Sequence, residues 1–175
     1  IGVNMSFLPD LDQREKMKAV IDSCGDAGVA AVETSGIKPD FVAPLIRGAG
    51  MVHIHKVPAA RYGISAEKCG VDAVSVVGFE CGGHPGKDEK GTMVLIDEAS
   101  RVLSVPVIAG GGIVDGRGIA AALALGADAV VMGTRFLASE EAPISNAHKK
   151  WMCAAGERST VIVQKSVGNM ARAAN

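Results

Sequence analysis

The chain has 175 residues, of which 48% are hydrophobic and only 3% aromatic, and its 18 basic and 19 acidic residues leave a net charge of −1. Charges mixed this evenly give no nucleic-acid stripe and no basic membrane face, and no apolar run reaches the ~18 residues a spanning helix needs. One domain with a core of Ala, Val, Ile and Leu fits this length, and the 22 glycines suit parallel strands covered by helices.

In chain order, "IGVNMSF" from Ile1 reads as a strand. "DLDQREKMKAVIDSCGDAG" follows as a helix, with acidic residues early, Met17, Val20 and Ile21 on one face, and glycines near its end. "VAAVET" from Val29 is the next strand and "DFVAPLIRGAG" the next helix. "MVHIHKV" from Met51 and "DAVSVVG" from Asp72 are strands on either side of the helical "AARYGISAEKCG". "LIDEASRVLS" reads as a helix before the strand "PVIAGG" at Pro106. "GRGIAAALALGA" is a helix before the strand "DAVVMG" at Asp128. His148, with Lys149 and Lys150, falls in a polar helical stretch and reads as surface.

Strands alternating with helices predict a parallel sheet. Strand starts lie 28, 22, 21, 34 and 22 residues apart (Ile1, Val29, Met51, Asp72, Pro106, Asp128). The long interval holds "GFECGGHPGK", a polar glycine-rich loop at a strand's C-terminal end. Active sites of parallel α/β folds gather at that end, and long loops there are more often functional than decorative. Spacing alone does not choose between a doubly wound sheet and an incomplete (β/α)8 barrel, which usually needs ~250 residues.

Two further loops carry glycine straight after a strand. Gly110, Gly111 and Gly112 follow one, and Gly133 and Thr134 follow the next. Amides without a neighbouring Cβ can approach a phosphate closely. Tight turns would explain one such loop equally well; two adjacent loops favour a phosphate site. Neither the dinucleotide fingerprint nor a Walker motif fits, since Asp115 stands where the fingerprint needs its last glycine.

The motifs "GFECGGHPG", "PVIAGGGIVDGRGIAAALALGADAVVMGTRF" and "EAPI" closely resemble the nitronate monooxygenase family. The resemblance runs from "IGVNMSFLP" to "SVGNMARAAN". It implies an FMN-binding (β/α)8 barrel of which this chain, a single domain over 1–175, holds about strands three to eight and is truncated at both ends. It also implies that Gly111, Gly112, Gly133 and Thr134 hold the FMN phosphate. Asn4 would lie by the flavin ring or ribityl chain, and Lys56 would be a cation near the pyrimidine edge. Without the family, Lys56 reads as an ordinary strand-end lysine. Gly82 and Gly83 would let the backbone pass close to the ring.

His84 matches the family's substrate-facing histidine. An imidazole can exchange a proton near neutral pH. It would remove the α-proton of a nitroalkane, or contact the anion of a nitronate. Dioxygen would complete the oxidation to a carbonyl compound and nitrite. As a tripeptide alone, "GHP" suggests a turn cap. Cys81 lies three residues away, but no neighbour activates its thiol, so it reads as a small packed residue. His53 and His55 share one strand face without a third metal ligand, so they read as packing or as contacts that support site residues from behind, and no metal site is expected. Glu80 is either a buried partner or a loop carboxylate. Arg135 reaches either the phosphate region or the surface.

Cys24, Cys69, Cys81 and Cys153 have neither zinc-site nor disulfide spacing and suit a reduced, cytoplasmic protein. The enzyme rival is a flavin-dependent enoyl-acyl-carrier-protein reductase using NAD(P)H. It shares "GGH", "GTRF" and the pattern G-x-x-x-R-x-x-N from Gly168 through Arg172 to Asn175. The rival of another class is an inactive barrel fragment, for which open sheet edges favour homo-oligomerisation. No nucleic-acid or membrane partner is expected.

Overall fold

A computed structural model describes residues 2–6, 14–156, 158–163 and 171–174. Six strands form one sheet: β1 (Gly2–Ser6), β2 (Ala31–Ser35), β3 (Val52–Val57), β4 (Ala73–Val77), β5 (Val107–Gly110) and β6 (Ala129–Val131). Between them run α1 (Arg14–Asp26), α2 (Val42–Gly48), α3 (Ala60–Glu67), α4 (Thr92–Val102) and α5 (Gly116–Ala124). Every pairing is parallel, and the spatial order is β1-β2-β3-β4-β5-β6. A doubly wound sheet reverses its progression at a switch point. Here each strand joins the same side of its predecessor, so the doubly wound alternative is overturned in favour of a half-barrel of six strands. Right-handed crossovers that never reverse carry every helix to one face.

The two faces differ in chemistry. Val32, Val57, Val74, Val76, Val107 and Ala109 point to the helices and pack with residues such as Ile21, Ile46, Ile96 and Ala99. The alternate positions form the inner face, aligned by register: Asn4 with Glu33, Lys56 with Ser75, and Ser75 with Ile108. A strand that buries only one face must alternate in this way.

Two aspartates fix the strand starts. The Asp72 carboxylate accepts from the His53 amide at 2.7 Å, while the Asp72 amide donates to the His53 carbonyl at 2.8 Å. Asp128 does the same for Val107, at 2.8 Å in both directions. Each supplies the partner that an edge-of-ladder amide otherwise lacks.

After β6 come α6 (Thr134–Leu137) and α7 (Asn146–Ala154). His148 lies exposed on α7, as the polar stretch predicted. The antiparallel hairpin of β7 (Thr160–Val163) and β8 (Ala171–Ala174) then follows, a feature the apolar runs did not predict. The six predicted strands all form. The "LIDEASRVLS" helix begins three residues earlier than its apolar pattern, at Thr92, where Glu80 accepts from the Thr92 amide at 2.9 Å. The predicted first-helix residues 10–13 lie outside the described residues, as do Gly168 and Asn175 of the C-terminal pattern.

Candidate functional site

The inner face carries a polar row across three strands at their C-terminal halves. Lys56 Nζ lies 2.7 Å from Glu33 Oε2, with both side chains part-exposed. Asn4 Nδ2 donates to the same Glu33 oxygen. One carboxylate therefore holds both residues that the sequence pointed to at this end of the sheet. Ser6 and Ser35 extend the row, hydroxyl to hydroxyl at 3.0 Å. Next to Lys56 in register, Ser75 is fully buried and its Oγ has no hydrogen-bond partner among the described residues. Glu33 and Ser75 were missed by sequence reasoning. Their signal was a charge and a hydroxyl at alternate positions within runs that read as strands.

The loop after β4 spans 78–91. Its base is tied tightly: Phe79 N donates to the Lys90 carbonyl at 2.8 Å, and Cys81 N to the Gly78 carbonyl at 3.0 Å. Arg61 pairs with Asp88. Glu80 resolves as the acceptor at the start of α4, taking the Thr92 amide. The Thr92 hydroxyl sits 2.8 Å from both Glu80 Oε2 and the Gly111 carbonyl and 3.2 Å from the Gly110 carbonyl, so one proton faces three acceptors. Thr92, buried and unremarked in the sequence, thus joins the ends of β4 and β5.

His84 is exposed at this strand end and makes no hydrogen bond or ion pair among the described residues. It does not cap its own turn. Gly83 adopts φ +76°, which an L side chain rarely tolerates, and a Cβ at Gly82 or Gly83 would meet open space. Among the described residues, chain neighbours aside, nothing lies within 4 Å of a Cβ at either position. The Cys81 thiol is held above its ordinary range by burial, opposed by the Arg172 charge. A protonated thiol is a poor nucleophile, which agrees with Cys81 as a packed residue.

The glycine loops divide. Gly111 and Gly112 both have positive φ, and a Cβ at Gly111 would come within 2.7 Å of Thr92 Oγ1, one at Gly112 within 3.2 Å of Glu80 Cβ. Close packing explains their lack of a side chain. A Cβ at Gly133 would meet nothing within 4 Å, and Thr134 is exposed. The amides of Gly112 and Gly133 donate to no backbone carbonyl among the described residues. Arg135 resolves as a brace between the loops: its Nε donates to the Val114 carbonyl at 2.7 Å.

His53 and His55 point away from this site, into the helix layer. The Thr34 hydroxyl lies 2.7 Å from His53 Nε2 and 2.8 Å from His55 Nδ1. Burial holds both imidazoles down at about 4, His53 despite nearby Asp72. They are neutral core groups at neutral pH. Among the described residues no cluster of His, Cys, Asp and Glu could hold a metal ion. No described helix is long and apolar enough to cross a membrane.

The site is completed from the C-terminal hairpin. Arg172, on β8, exchanges backbone hydrogen bonds with Gly83, and its guanidinium donates to the Phe79 carbonyl at 3.0 Å. Its motif position was visible in the sequence, but its contact with the β4 loop was not.

A family model described as nitronate monooxygenase matches residues 7–175. A probable nitronate monooxygenase of Staphylococcus saprophyticus is 33% identical over 173 residues, covering 93% of this chain and 49% of the relative. The chain thus spans about half the length of the curated relatives it matches. The structure of FabK from Thermotoga maritima superposes with a TM-score of 0.88 at 36% identity, over 99% of this chain and 53% of that one. A nitroalkane oxidase from Streptomyces ansochromogenes superposes with a TM-score of 0.81 at 25% identity, over 99% and 61%.

Proposed function

The chain belongs to the nitronate monooxygenase family, and from that membership we propose that it forms the catalytic strand-end face of an FMN-dependent enzyme oxidising nitronates or nitroalkanes with dioxygen. The six strands would be strands three to eight of a (β/α)8 barrel. The observation that carries the reading is His84: exposed on the 78–91 strand-end loop, with no hydrogen-bond or ion-pair partner among the described residues, beside glycines at which a Cβ would meet none of those residues within 4 Å.

The inner face suits a flavin. The orphaned Ser75 hydroxyl and the Asn4–Glu33–Lys56 row offer polar contacts, and Gly82, Gly83 and Gly133 leave room for an approaching group. Gly111, Gly112, Gly133 and Thr134 would hold the phosphate through backbone amides and the threonine hydroxyl. Asn4 and Lys56 would face the ring system. When bound, FMN supplies the electron sink between substrate and dioxygen.

The chain's own residues do the rest. The His84 imidazole takes the α-proton of a neutral nitroalkane onto a ring nitrogen. For a nitronate, already deprotonated, it donates a hydrogen bond to the anion. Lys56 places a fixed positive charge on the inner face, and Glu33 both orients and partly offsets it. The products are a carbonyl compound and nitrite.

A second reading is an enoyl-thioester reductase using NAD(P)H. Its support is the FabK likeness. Both readings use the same histidine loop, so the substrate separates them.

The test is His84→Asn in the FMN-loaded protein, read as oxygen uptake and nitrite release with a neutral nitroalkane, whose α-proton must be removed. Turnover should fall at least about a hundredfold, the low end of general acid–base contributions, with FMN affinity unchanged. Unchanged turnover removes His84 from the chemistry.

A further inference from the structure

We propose that Arg172 is a positioning residue for His84, clasping the tip of the histidine loop from the C-terminal hairpin; the catalytic part of this inference rests on the function proposed above. The base of the 78–91 loop is well tethered, by Glu80 to Thr92 and by Asp88 to Arg61. Gly86 lies so close to Pro58 that a Cβ there would come within 2.6 Å. None of these ties reaches the tip. Gly82, Gly83 and His84 are exposed, and two successive glycines are the backbone with most freedom to lose.

The backbone hydrogen bonds of Gly83 among the described residues are with Arg172. Arg172 N donates to the Gly83 carbonyl at 2.6 Å, and Gly83 N donates to the Arg172 carbonyl at 3.3 Å. They pin the residue immediately before His84. The side chain of Arg172 adds a second hold on the same loop. Its guanidinium lies 5.1 Å over the Phe79 ring and donates to the Phe79 carbonyl at 3.0 Å. It also reaches Thr160 Oγ1 at 3.4 Å, across the hairpin. Among the described residues no carboxylate pairs with this charge, and its Nε is buried without a partner. A half-buried arginine whose Nε is enclosed and whose charge has no counter-ion among the described residues is a poor device for stability. A planar fork reaching one carbonyl, one hydroxyl and one ring face is a good device for orientation, and a lysine cannot reproduce it.

The test uses Arg172→Ala, Arg172→Lys and the milder Phe79→Leu, each in the FMN-loaded chain. Three quantities are read: amide hydrogen exchange at Gly83, FMN affinity, and kcat and KM with a nitronate. In Arg172→Ala, Gly83 exchange should quicken and kcat should fall at least about tenfold, the scale expected when a reacting group is slightly misplaced. KM and FMN affinity should stay within about twofold, as expected when ground-state binding is kept. Arg172→Lys should recover only part of kcat, and Phe79→Leu should shift the same quantities by less. Wild-type kcat in Arg172→Ala overturns the proposal, whatever exchange does. So does a loss of kcat that merely follows lost flavin, or exchange that quickens equally across β1–β6. If the unaltered protein turns over no nitronate, the proposed function fails, and Gly83 exchange alone then decides whether Arg172 holds the loop.

Discussion

His53 and His55 stand edge to face with ring centres 6.3 Å apart, sharing one threonine hydroxyl inside the helix layer. Because burial lowers both to about 4 from 6.5, the folded chain keeps them neutral where the unfolded chain would protonate them. Their contribution is whole above pH 6.5 and is lost as pH falls toward 4, at up to about 1.4 kcal/mol per pH unit for each histidine. Urea midpoints should therefore drop between pH 6.5 and 5, before most carboxylates titrate; a flat profile there contradicts the burial account. Thr34→Val strands two ring nitrogens in the core and should cost about 2–4 kcal/mol in the same unfolding experiment. That these histidines pack was legible from their spacing on one face. Their threonine was not, because it is 19 residues away and only strand register brings it near. His84 was legible for a different reason: the strand spacing itself marked its loop as long.

At the scale of elements, the β4 and β5 ends are locked through Thr92 at the start of α4. A Cβ at Gly78 would lie 2.1 Å from Thr92 Oγ1 and 2.4 Å from its backbone nitrogen. Gly78→Ala should thus destabilise by about 1–3 kcal/mol, as other overpacked sites do, with chemical denaturation as the measure; a neutral effect would mean the lock is not tight. Glu80→Ala leaves the Thr92 amide without its acceptor and should cost about 1 kcal/mol, as lost helix caps do. The six strands were legible because each is an apolar run at regular spacing. The hairpin was not: "TVIV" and "ARAA" are four residues each, and the second has alanines where strands favour branched or aromatic side chains. Its partner across the fold, the Gly83 loop, lies near the middle of the chain, and no local pattern encodes that pairing.

For the whole molecule, the consecutive strand order decides the architecture, and the contrast between faces locates the site. Helix-facing positions are apolar except for the Thr34–His53–His55 group, whereas the inner face carries Asn4, Glu33, Lys56 and Ser75 at one end. Polar groups gathered on one face of a parallel sheet, below glycine-rich strand-end loops, are the arrangement in which parallel α/β folds place their sites, and the proposed function rests on it. Since the chain covers about half of its relatives' length, the flavin seat proposed for it is the part built on these six strands. The proposal that this part acts in nitronate oxidation is tested most directly by adding a nitronate to the FMN-loaded protein in an oxygen electrode, with no NADH present. The account predicts oxygen uptake with nitrite formed. Absence of uptake, with NADH oxidised only when an enoyl thioester is supplied, would contradict it.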